Sequence, residues 1–262
     1  MYVTRSDPAP GVAQLTLDRP DRMNALSMDL ARDLLDALED VAAEDGIGAV
    51  ILAGAGGYFC AGGDLNSLAT RKDLPKRERA EKIDALHDVI RAIRMCPAPV
   101  IAAVEGGAAG AGMAIALACD MVVMASDATM SAAYVKAALT PDGGLTHTLA
   151  RLLPPATVLP LLLTGAQVTA PRLHQLGAVS ELAEPGRAVD RAMALAHGLA
   201  HGPREAQVRI KRLAHTAYHA DLDDQLDAER DAMARAQGGP EAEEGIPAFL
   251  EKRRPDYGRF RS

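Results

Sequence analysis

The chain has no tryptophan, only three phenylalanines and no excess of positive charge among its 262 residues. Aromatic side chains provide the surfaces on which nucleic-acid bases stack, and a formal net charge of −7 repels a phosphate backbone. This composition excludes a general nucleic-acid surface, so we expect no nucleic-acid partner. An anionic small molecule would have to be bound by local basic groups or by main-chain N–H groups.

Cysteine is also scarce, and no apolar run is long enough to cross a membrane. Cys60, Cys96 and Cys119 lie far apart in apolar surroundings without the spacing of metal ligands, which indicates buried, reduced thiols and no metal site. The N-terminal residues MYVTRSDPAPGV lack the basic and apolar parts of a signal peptide. We therefore expect a cytoplasmic protein with no membrane partner.

Strand and helix patterns alternate through most of the chain and predict an α/β fold. Residues 12–17 (VAQLTL) alternate as a strand does, and residues 47–53 and 100–104 are short apolar runs typical of buried parallel strands. Ser27 is a suitable N-cap for an amphipathic helix over 28–44.

The later part of the chain is more polar and mostly helical. The charged segment 71–82 predicts a solvated loop that runs into an amphipathic helix. Beyond residue 186 the pattern predicts helices over 187–200, 204–217 and 222–236.

Two glycine-rich loops each lead into a helical run. Residues 104–120 (VEGGAAGAGMAIALACD) pass from a buried strand into an apolar helix, and residues 54–65 (GAGGYFCAGGDL) repeat the arrangement. Glycine lets a backbone approach a ligand closely, and the unpaired N–H groups of a helix start can point at developing negative charge. Close packing between strand, turn and helix would explain the same glycines.

A third turn, Pro-Asp-Gly-Gly at 141–144, places Asp142 just before a helix over 145–153. An aspartate at this place is suited to cap the following helix.

Six segments together resemble the enoyl-CoA hydratase/isomerase, or crotonase, family, and they follow the family's order and spacing over nearly the whole chain. They are RPDRMNALS, YFCAGGDL, APVIAAVEGGAAGAGMAIALACD, LTPDGGLTHTLARLLP, LLTGAQVTAPRLHQLGAVSEL and FLEKRRPDYGR. The resemblance implies the crotonase (ClpP-like) fold, a spiral of ββα units with a C-terminal helical trimerisation region. It implies a core with the CoA and active site at 1–200 and a helical region for oligomerisation at 201–262.

The resemblance also implies an acyl-CoA substrate, no tightly bound cofactor, and a homotrimer or homohexamer. In this family two backbone N–H groups bind the thioester oxygen and stabilise an enolate-like intermediate. Matched by motif, these donors are Gly63 and Ala111. Similar hydratases have glutamates where this chain has Ala114 and Tyr134, neither of which is a general base near neutral pH.

Asp142 matches the aspartate of the isomerase-like branch, so the resemblance implies an enoyl-CoA isomerase that shifts a double bond through a stabilised thioenolate. A hydratase is one alternative. Another is aspartyl-acyl chemistry like that of the 4-halobenzoyl-CoA dehalogenases, which pair an aspartate here with a histidine at the position of His87; the tryptophan of that branch is Tyr134 in this chain. A last alternative is a catalytically weak CoA-binding assembly subunit.

The resemblance places further residues around the substrate. Basic side chains are natural partners of CoA phosphates, especially in a chain of this acidity. The implied CoA-binding residues are Arg22, Met23, Cys60, Gly62, Asp64, Leu65, Phe249 and Lys252. The implied lining of the acyl pocket consists of Met113, Tyr134, Val135 and Leu139.

Overall fold

The structure is a computed structural model that describes residues 1–260. The strands are β1 (Val3–Ala9), β2 (Val12–Leu17), β3 (Ala49–Gly54), β4 (Val100–Val104), β5 (Gly107–Ala109), β6 (Met121–Ala125), β7 (Thr129–Ser131), β8 (Gln167–Thr169) and β9 (Glu181–Ala183). The α-helices are α1 (Met28–Ala43), α2 (Leu65–Ala69), α3 (Lys76–Met95), α4 (Ala111–Ala118), α5 (Leu145–Leu152), α6 (Pro155–Thr164), α7 (Ala170–Gln175), α8 (Ala188–Ala200), α9 (Arg204–Thr216), α10 (Leu222–Gln237) and α11 (Pro240–Leu250). Short 3-10 helices occur at Pro20–Arg22, Ala55–Gly57, Ala133–Ala137 and Gly258–Phe260.

A six-stranded sheet forms the centre of the molecule, with its strands in the order β1-β2-β3-β4-β6-β9. Strands β1 and β2 pair antiparallel, and every later neighbouring pair is parallel. The side chains of β4 are apolar and buried on both faces, as a parallel sheet covered on both sides requires. Helices α1, α3 and α4 cover one face, and α8 covers the other.

Helix α8 lies close to the sheet because its buried face consists of alanine. Ala188, Ala192, Ala196 and Ala200 recur every four residues and are fully buried. They pack against a layer of apolar strand side chains that includes Ile51. Periodic small residues thus let one helix cover this face of the sheet at short range.

A second, three-stranded sheet in the order β5-β7-β8 carries the glycine-rich segment that connects β4 with α4. Strand β5 runs parallel to β7, and β8 pairs antiparallel with β7. The sequence patterns predict neither β5 nor β8, because three residues are too few for a recognisable alternation.

Most of the predicted elements are confirmed. Strands β2 and β4 occupy their predicted ranges, and Ser27 caps α1 by accepting a hydrogen bond from the Leu30 N–H at 3.2 Å. The loop predicted at 71–82 is wrong from Lys76 onward, because α3 begins there and exposes its charged first turns to solvent. Strand β1 and helix α11 have no counterpart among the predictions.

Helices α9, α10 and α11 form the C-terminal part of the molecule. The helices predicted at 204–217 and 222–236 are confirmed as α9 and α10. The last residue of α8, Ala200, coincides with the predicted limit of the core. The division into two regions stays a prediction, and residues 261 and 262 of its second region lie outside the described residues. No helix within 1–260 combines the length and apolarity needed to span a bilayer.

Candidate active site

Main-chain hydrogen bonds hold the first glycine-rich loop, which precedes α2, against its neighbours. The N–H of Leu26 donates to Gly62 O at 2.7 Å, and the N–H of Asp64 donates to Leu26 O at 3.0 Å. On the other side, the N–H of Ala109 donates to Cys60 O at 3.0 Å. The loop therefore lies between the turn that precedes α1 and the strand β5 that leads to the second loop.

The turn before α1 is organised by Asn24, which is fully buried. Its Oδ1 accepts from the Arg19 N–H at 2.8 Å, and its Nδ2 donates to Ala55 O at 2.9 Å and to Tyr58 O at 2.6 Å. Asn24 also has a φ of 54°, a left-handed conformation in which asparagine is enriched. The sequence predicts only a turn here, and the two bonds that join it to the first loop are tertiary contacts.

Missing side chains at Gly62 and Gly112 let the two loops touch. A Cβ on Gly112 would lie 2.2 Å from Cys60 O, and a Cβ on Gly62 would lie 2.7 Å from Ala109 O. Gly62 also has a φ of 98°, which side-chain-bearing residues rarely adopt. The same Cβ on Gly62 would lie 3.6 Å from Ala111 N, so the first loop adjoins the start of α4.

The N–H groups of Gly63 and Ala111 donate to no protein acceptor within the described residues. Leu26 pairs with the first loop through its own N–H and C=O, which bond Gly62 O and the Asp64 N–H. The Gly63 N–H takes no part in this pairing and points away from Leu26. Ala111 is the first residue of α4, where an N–H has no partner inside the helix. Both residues line the same cleft, and two such donors can bind one oxyanion.

The cleft has a volume of about 1030 Å³ and extends between the two loops, α1, α3 and the segment 133–142. Apolar side chains such as Leu26, Leu68 and Leu86 make up much of its wall. Eight of the residues singled out from the sequence line it, namely Gly62, Gly63, Leu65, His87, Ala111, Tyr134, Leu139 and Asp142.

Within residues 1–260, Asp142 is the only acidic side chain that lines the cleft. Its Oδ1 accepts a hydrogen bond from Tyr134 Oη at 2.8 Å. Burial raises the pKa of the Asp142 carboxyl, although the Tyr134 hydroxyl and the positive charges of His87 and Arg71 act in the opposite direction. Burial and the neighbouring carboxylate also raise the pKa of Tyr134, which therefore remains a protonated donor. A carboxyl group with a raised pKa can both accept and return a proton near neutral pH.

The interpretation of Asp142 as a helix cap is wrong. Helix α5 begins after Gly144, and no side chain forms a capping hydrogen bond there. Only the main-chain oxygen of Asp142 contacts the helix, accepting from the Leu145 N–H at 3.1 Å. Gly143 and Gly144 have φ values of 58° and 70°, and this turn leaves the Asp142 side chain beside Tyr134.

Position 114, where similar hydratases have a glutamate, is occupied by buried Ala114. A Cβ on Gly143 would lie 2.9 Å from Ala114 Cβ, so the turn that follows Asp142 packs directly on this methyl group. The absence of a side chain at Gly143 thus allows this close approach.

His87 projects from α3 into the same cleft. Its Nδ1 lies 3.5 Å from Asp84 Oδ1, one helical turn earlier, and its side chain is 34% exposed. When protonated, His87 is close enough for its charge to lower the pKa of Asp142. His87 and Asp142, the two polar residues that dehalogenase-like chemistry would require, therefore line the same cleft.

Five basic side chains that the sequence did not assign to the site also line the cleft: Arg71, Lys72, Arg79, Lys82 and Lys136. In the described part of the chain none of them pairs with a carboxylate, whereas the neighbouring Arg77 pairs with Glu81 at 2.9 Å. Four of them belong to the charged segment 71–82, which by itself indicated only solvation. Folding places this positive charge at the cleft of an otherwise acidic protein.

The side chains of three further residues predicted to bind substrate contact other parts of the protein, and their roles stay predictions. Met113 is 1% exposed, belongs to the hydrophobic core and is not among the residues that line the cleft. Cys60 is fully buried beneath the loops, which raises the pKa of its thiol to about 11, and it contributes through its main chain. The Asp64 carboxylate accepts a hydrogen bond from the Asn66 N–H at 3.1 Å and forms an ion pair with Arg19 at 3.1 Å. These contacts stabilise the first loop and the start of α2.

The remaining predicted residues lie outside the lining of the cleft. Arg22 and Met23 are exposed on the turn beside Asn24, Met23 with 54% of its surface accessible. Phe249 is 85% exposed near the end of α11, and Lys252 follows it. Val135 is 40% exposed in the segment after β7. Their roles in substrate binding stay predictions.

Two unpaired main-chain donors and one half-buried carboxylate in a single cleft define an enzyme site that can stabilise an oxyanion and move a proton. The chain belongs to the enoyl-CoA hydratase/isomerase family, whose model matches residues 8–259.

The relatives include both kinds of enzyme. The chain is 36% identical to 1,2-epoxyphenylacetyl-CoA isomerase of Escherichia coli (strain K12), over 94% of this chain and 95% of that protein. It is 35% identical to a probable enoyl-CoA hydratase of Rhodobacter capsulatus, over 98% of each. The crystal structure of an enoyl-CoA hydratase from Polaromonas sp. JS666 has a TM-score of 0.94 at 39% identity, covering 97% of this chain and 98% of that one. The predicted crotonase fold is confirmed.

Substituting Gly112→Ala tests the contact between the loops. The new Cβ would lie 2.2 Å from Cys60 O, so the main chain must shift. We expect the free energy of unfolding to fall by about 1–3 kcal/mol, as in other overpacked sites, and kcat to fall because the Ala111 N–H moves. Urea denaturation and turnover of an acyl-CoA measure the two effects. Gly198→Ala is the matched control, since nothing lies within 4 Å of a Cβ at that helical position; equal behaviour of the two variants would contradict the prediction.

Proposed function

We propose that the protein is an enoyl-CoA isomerase that moves a double bond within the acyl group of a CoA thioester. The observation that carries this proposal is the half-buried carboxylate of Asp142, which accepts a hydrogen bond from Tyr134 and lines the same cleft as the two unpaired main-chain donors. A single carboxylate is sufficient for isomerisation, because the same group alternates between base and acid.

In the first step, the Asp142 carboxylate removes a proton from C2 of a 3-enoyl thioester. The electron pair of the C2–H bond moves into the thioester, and the negative charge collects on the thioester oxygen. The N–H groups of Gly63 and Ala111 donate to this oxygen. One such preorganised donor contributes about 3 kcal/mol to stabilisation of the transition state.

In the second step, the protonated Asp142 returns its proton to C4. The double bond moves from C3=C4 to C2=C3, and the carboxylate is regenerated without a net change in protons. The raised pKa of the Asp142 carboxyl assists this return, since a strongly acidic carboxyl would release the proton to solvent. The apolar wall of the cleft limits competition from water.

The positive charge of the cleft supports an anionic ligand such as a CoA thioester. Unpaired Arg71, Lys72, Arg79, Lys82 and Lys136 line it, and CoA carries several phosphate charges. In this proposal CoA is part of the substrate, and the reaction requires no separate cofactor.

Hydration is less well supported because it uses two carboxylates to hold and activate a water. Ala114 has no titratable group, and the Tyr134 hydroxyl, with its raised pKa, donates to Asp142. Relatives named hydratases are nevertheless as similar to the chain as the relative named an isomerase. Product identity therefore decides between the two reactions.

Asp142→Asn tests the assigned proton transfer. We expect the conversion of 3-enoyl-CoA into 2-enoyl-CoA, followed by mass spectrometry and chromatography, to slow by about 10²–10⁴-fold, the usual contribution of a positioned acid or base. Asp127→Asn, on an exposed loop, is the control and should retain wild-type turnover. Full activity of Asp142→Asn would overturn the proposed role.

The same measurement separates the alternatives. Predominant formation of 3-hydroxyacyl-CoA by the wild type would identify a hydratase. Halide release from 4-halobenzoyl-CoA, abolished by His87→Ala, would identify the dehalogenase reaction. CoA binding without turnover across a panel of acyl-CoAs would favour an assembly subunit.

Asp142→Asn should have a higher free energy of unfolding than the wild type at neutral pH, although its activity falls. The folded-state pKa of Asp142 lies above its unfolded value, so ionisation of this carboxyl destabilises the folded protein. This loss of folding free energy is absent at pH values below the pKa of Asp142 in the unfolded chain, and it is complete at pH values above its pKa in the folded protein. The stability of Asp142→Asn relative to wild type should therefore increase as the pH rises from acidic to neutral, as measured by urea denaturation at each pH.

Tyr134→Phe tests the hydrogen bond to Asp142. The Tyr134 hydroxyl lowers the pKa of Asp142, so its removal should raise that pKa further. The acidic limb of the kcat/KM profile should move to higher pH by about one unit, the size expected for a hydrogen bond to a charged group. Tyr2→Phe, outside the cleft, serves as control. An unmoved acidic limb would show that Tyr134 does not set the protonation of the catalytic base.

Self-association is part of the proposal. Helices α9–α11 expose a series of large apolar side chains that a second copy of the chain would cover, namely Ile210, Leu222, Leu226, Met233, Ile246, Phe249 and Leu250. Such exposed apolar surface is typical of an interface. We expect light scattering coupled to gel filtration to give the mass of a trimer or hexamer; a monomer at micromolar concentration would contradict this.

A further inference from the structure

A second cavity of about 410 Å³ lies away from the active-site cleft and shares no lining residue with it. It is enclosed by the ends of α3 and α4, by α5 and by α9. Its lining is rich in basic and imidazole side chains, namely Arg94, His147, Arg151, Lys211, His215 and His219. Within residues 1–260, Asp120 is the only acidic residue among the lining.

The hydrogen-bonding capacity of Asp120 is already used. Its Oδ2 lies 2.7 Å from Lys211 Nζ and accepts from the Val100 N–H at 2.8 Å. Its Oδ1 lies 2.9 Å from His215 Nε2. Asp120 and Lys211 therefore neutralise each other, and together they attach α9 to the end of β4.

The two arginines of the cavity have no carboxylate partner in the described chain. Arg94 Nη1 lies 3.1 Å from His215 Nδ1, and His215 Nε2 lies 2.9 Å from Asp120 Oδ1. Arg151 donates from Nη1 to His147 Nδ1 at 2.8 Å, and its guanidinium lies 5.5 Å from the centre of the Tyr218 ring. Each guanidinium keeps further N–H donors and a full positive charge.

The positive charges converge on one part of the cavity. Burial lowers the pKa of His147, and the charges of Arg151, His219 and Arg94 lower it further, so these groups act on the same ring. The rings of His147 and His219 stack with their centres 5.5 Å apart. Arg94 and Arg151 therefore bring two positive charges without carboxylate partners in the described chain to the same side of the cavity, where they attract an anion.

We propose that this cavity binds a phosphate-class oxyanion, held by the guanidinium groups of Arg94 and Arg151 and by the imidazole of His147. A dianion would neutralise the two arginine charges that the protein leaves uncompensated. Planar guanidinium donors match tetrahedral oxyanions by paired hydrogen bonds, and the uncharged Thr148 hydroxyl, 3.5 Å from Arg94 Nη2, adds a further polar group.

The bound anion would also connect parts of the chain. Arg94 ends α3, Arg151 belongs to α5, and His215 reaches the cavity from α9. An anion held by α3 and α5 therefore strengthens the attachment of α9 through Arg94 and His215. We expect phosphate to raise the melting temperature of the protein by mass action on the folded state.

Isothermal titration of the full-length protein with inorganic phosphate, at constant ionic strength set by chloride, tests the site. We expect a saturable site that persists when the active-site cleft is filled with CoA, and Arg94→Gln and Arg151→Gln should each weaken binding at this site by about ten-fold or more, as expected for loss of a charge-assisted hydrogen bond. Arg172→Gln is the matched control, because Arg172 is exposed on α7 and bonds only Gln175. His147→Gln, at an exposed side chain, provides a further variant if an arginine variant does not fold.

The source of the phosphate group is distinguished by a parallel titration of the CoA-saturated protein with AMP, because AMP would otherwise also enter the cleft proposed to bind CoA. Tighter binding of AMP than of phosphate would identify the phosphoryl group of a larger ligand, and the reverse would identify the free ion. Titration of CoA-saturated protein should give the same phosphate affinity. Lack of saturable binding, equal binding by both arginine variants and wild type, or loss of binding in the presence of CoA would each overturn the proposal.

Discussion

The close contact between two glycine-rich loops is the constraint on which the site depends. Gly112 meets Cys60 O where no Cβ could fit, and Gly62 lies against Ala109 O in a left-handed conformation. Only with both side chains absent do the N–H groups of Gly63 and Ala111 line one cleft. The parallel sheet and the small second sheet supply rigid supports on which this contact is formed, because β4 and β5 deliver the second loop directly to it.

The acid/base group is positioned by a different device. Gly143 and Gly144 form the turn before α5, and this turn packs against the methyl group of Ala114. The Tyr134 hydroxyl donates a hydrogen bond to the Asp142 carboxylate and so orients it. Burial makes this carboxylate costlier to ionise than a solvated one and so raises its pKa. In the proposed mechanism this single carboxylate moves the proton, and Ala114 has no titratable group.

Charge is distributed unevenly in this acidic protein. Basic side chains without carboxylate partners collect at the active-site cleft and, separately, in the cavity between α5 and α9. The global charge of −7 excludes a broad anionic partner but does not oppose small anions at these two places, because local fields dominate at short range. The two sites use different cations, so a ligand at one does not compete for the side chains of the other.

The sequence by itself determined the α/β class and most of the long elements, because periodicity and capping are local properties of the chain, and its resemblance to a known family pointed to Gly63, Ala111 and Asp142. It could not show that the Asp142 side chain bonds Tyr134 instead of capping α5, nor that the charged segment 71–82 begins a helix beside the cleft. Only the tertiary structure decided that Met113 lies in the core and that Asn24 joins the turn before α1 to the first glycine-rich loop. Burial and side-chain partners arise from segments far apart in the chain, and no local pattern records them.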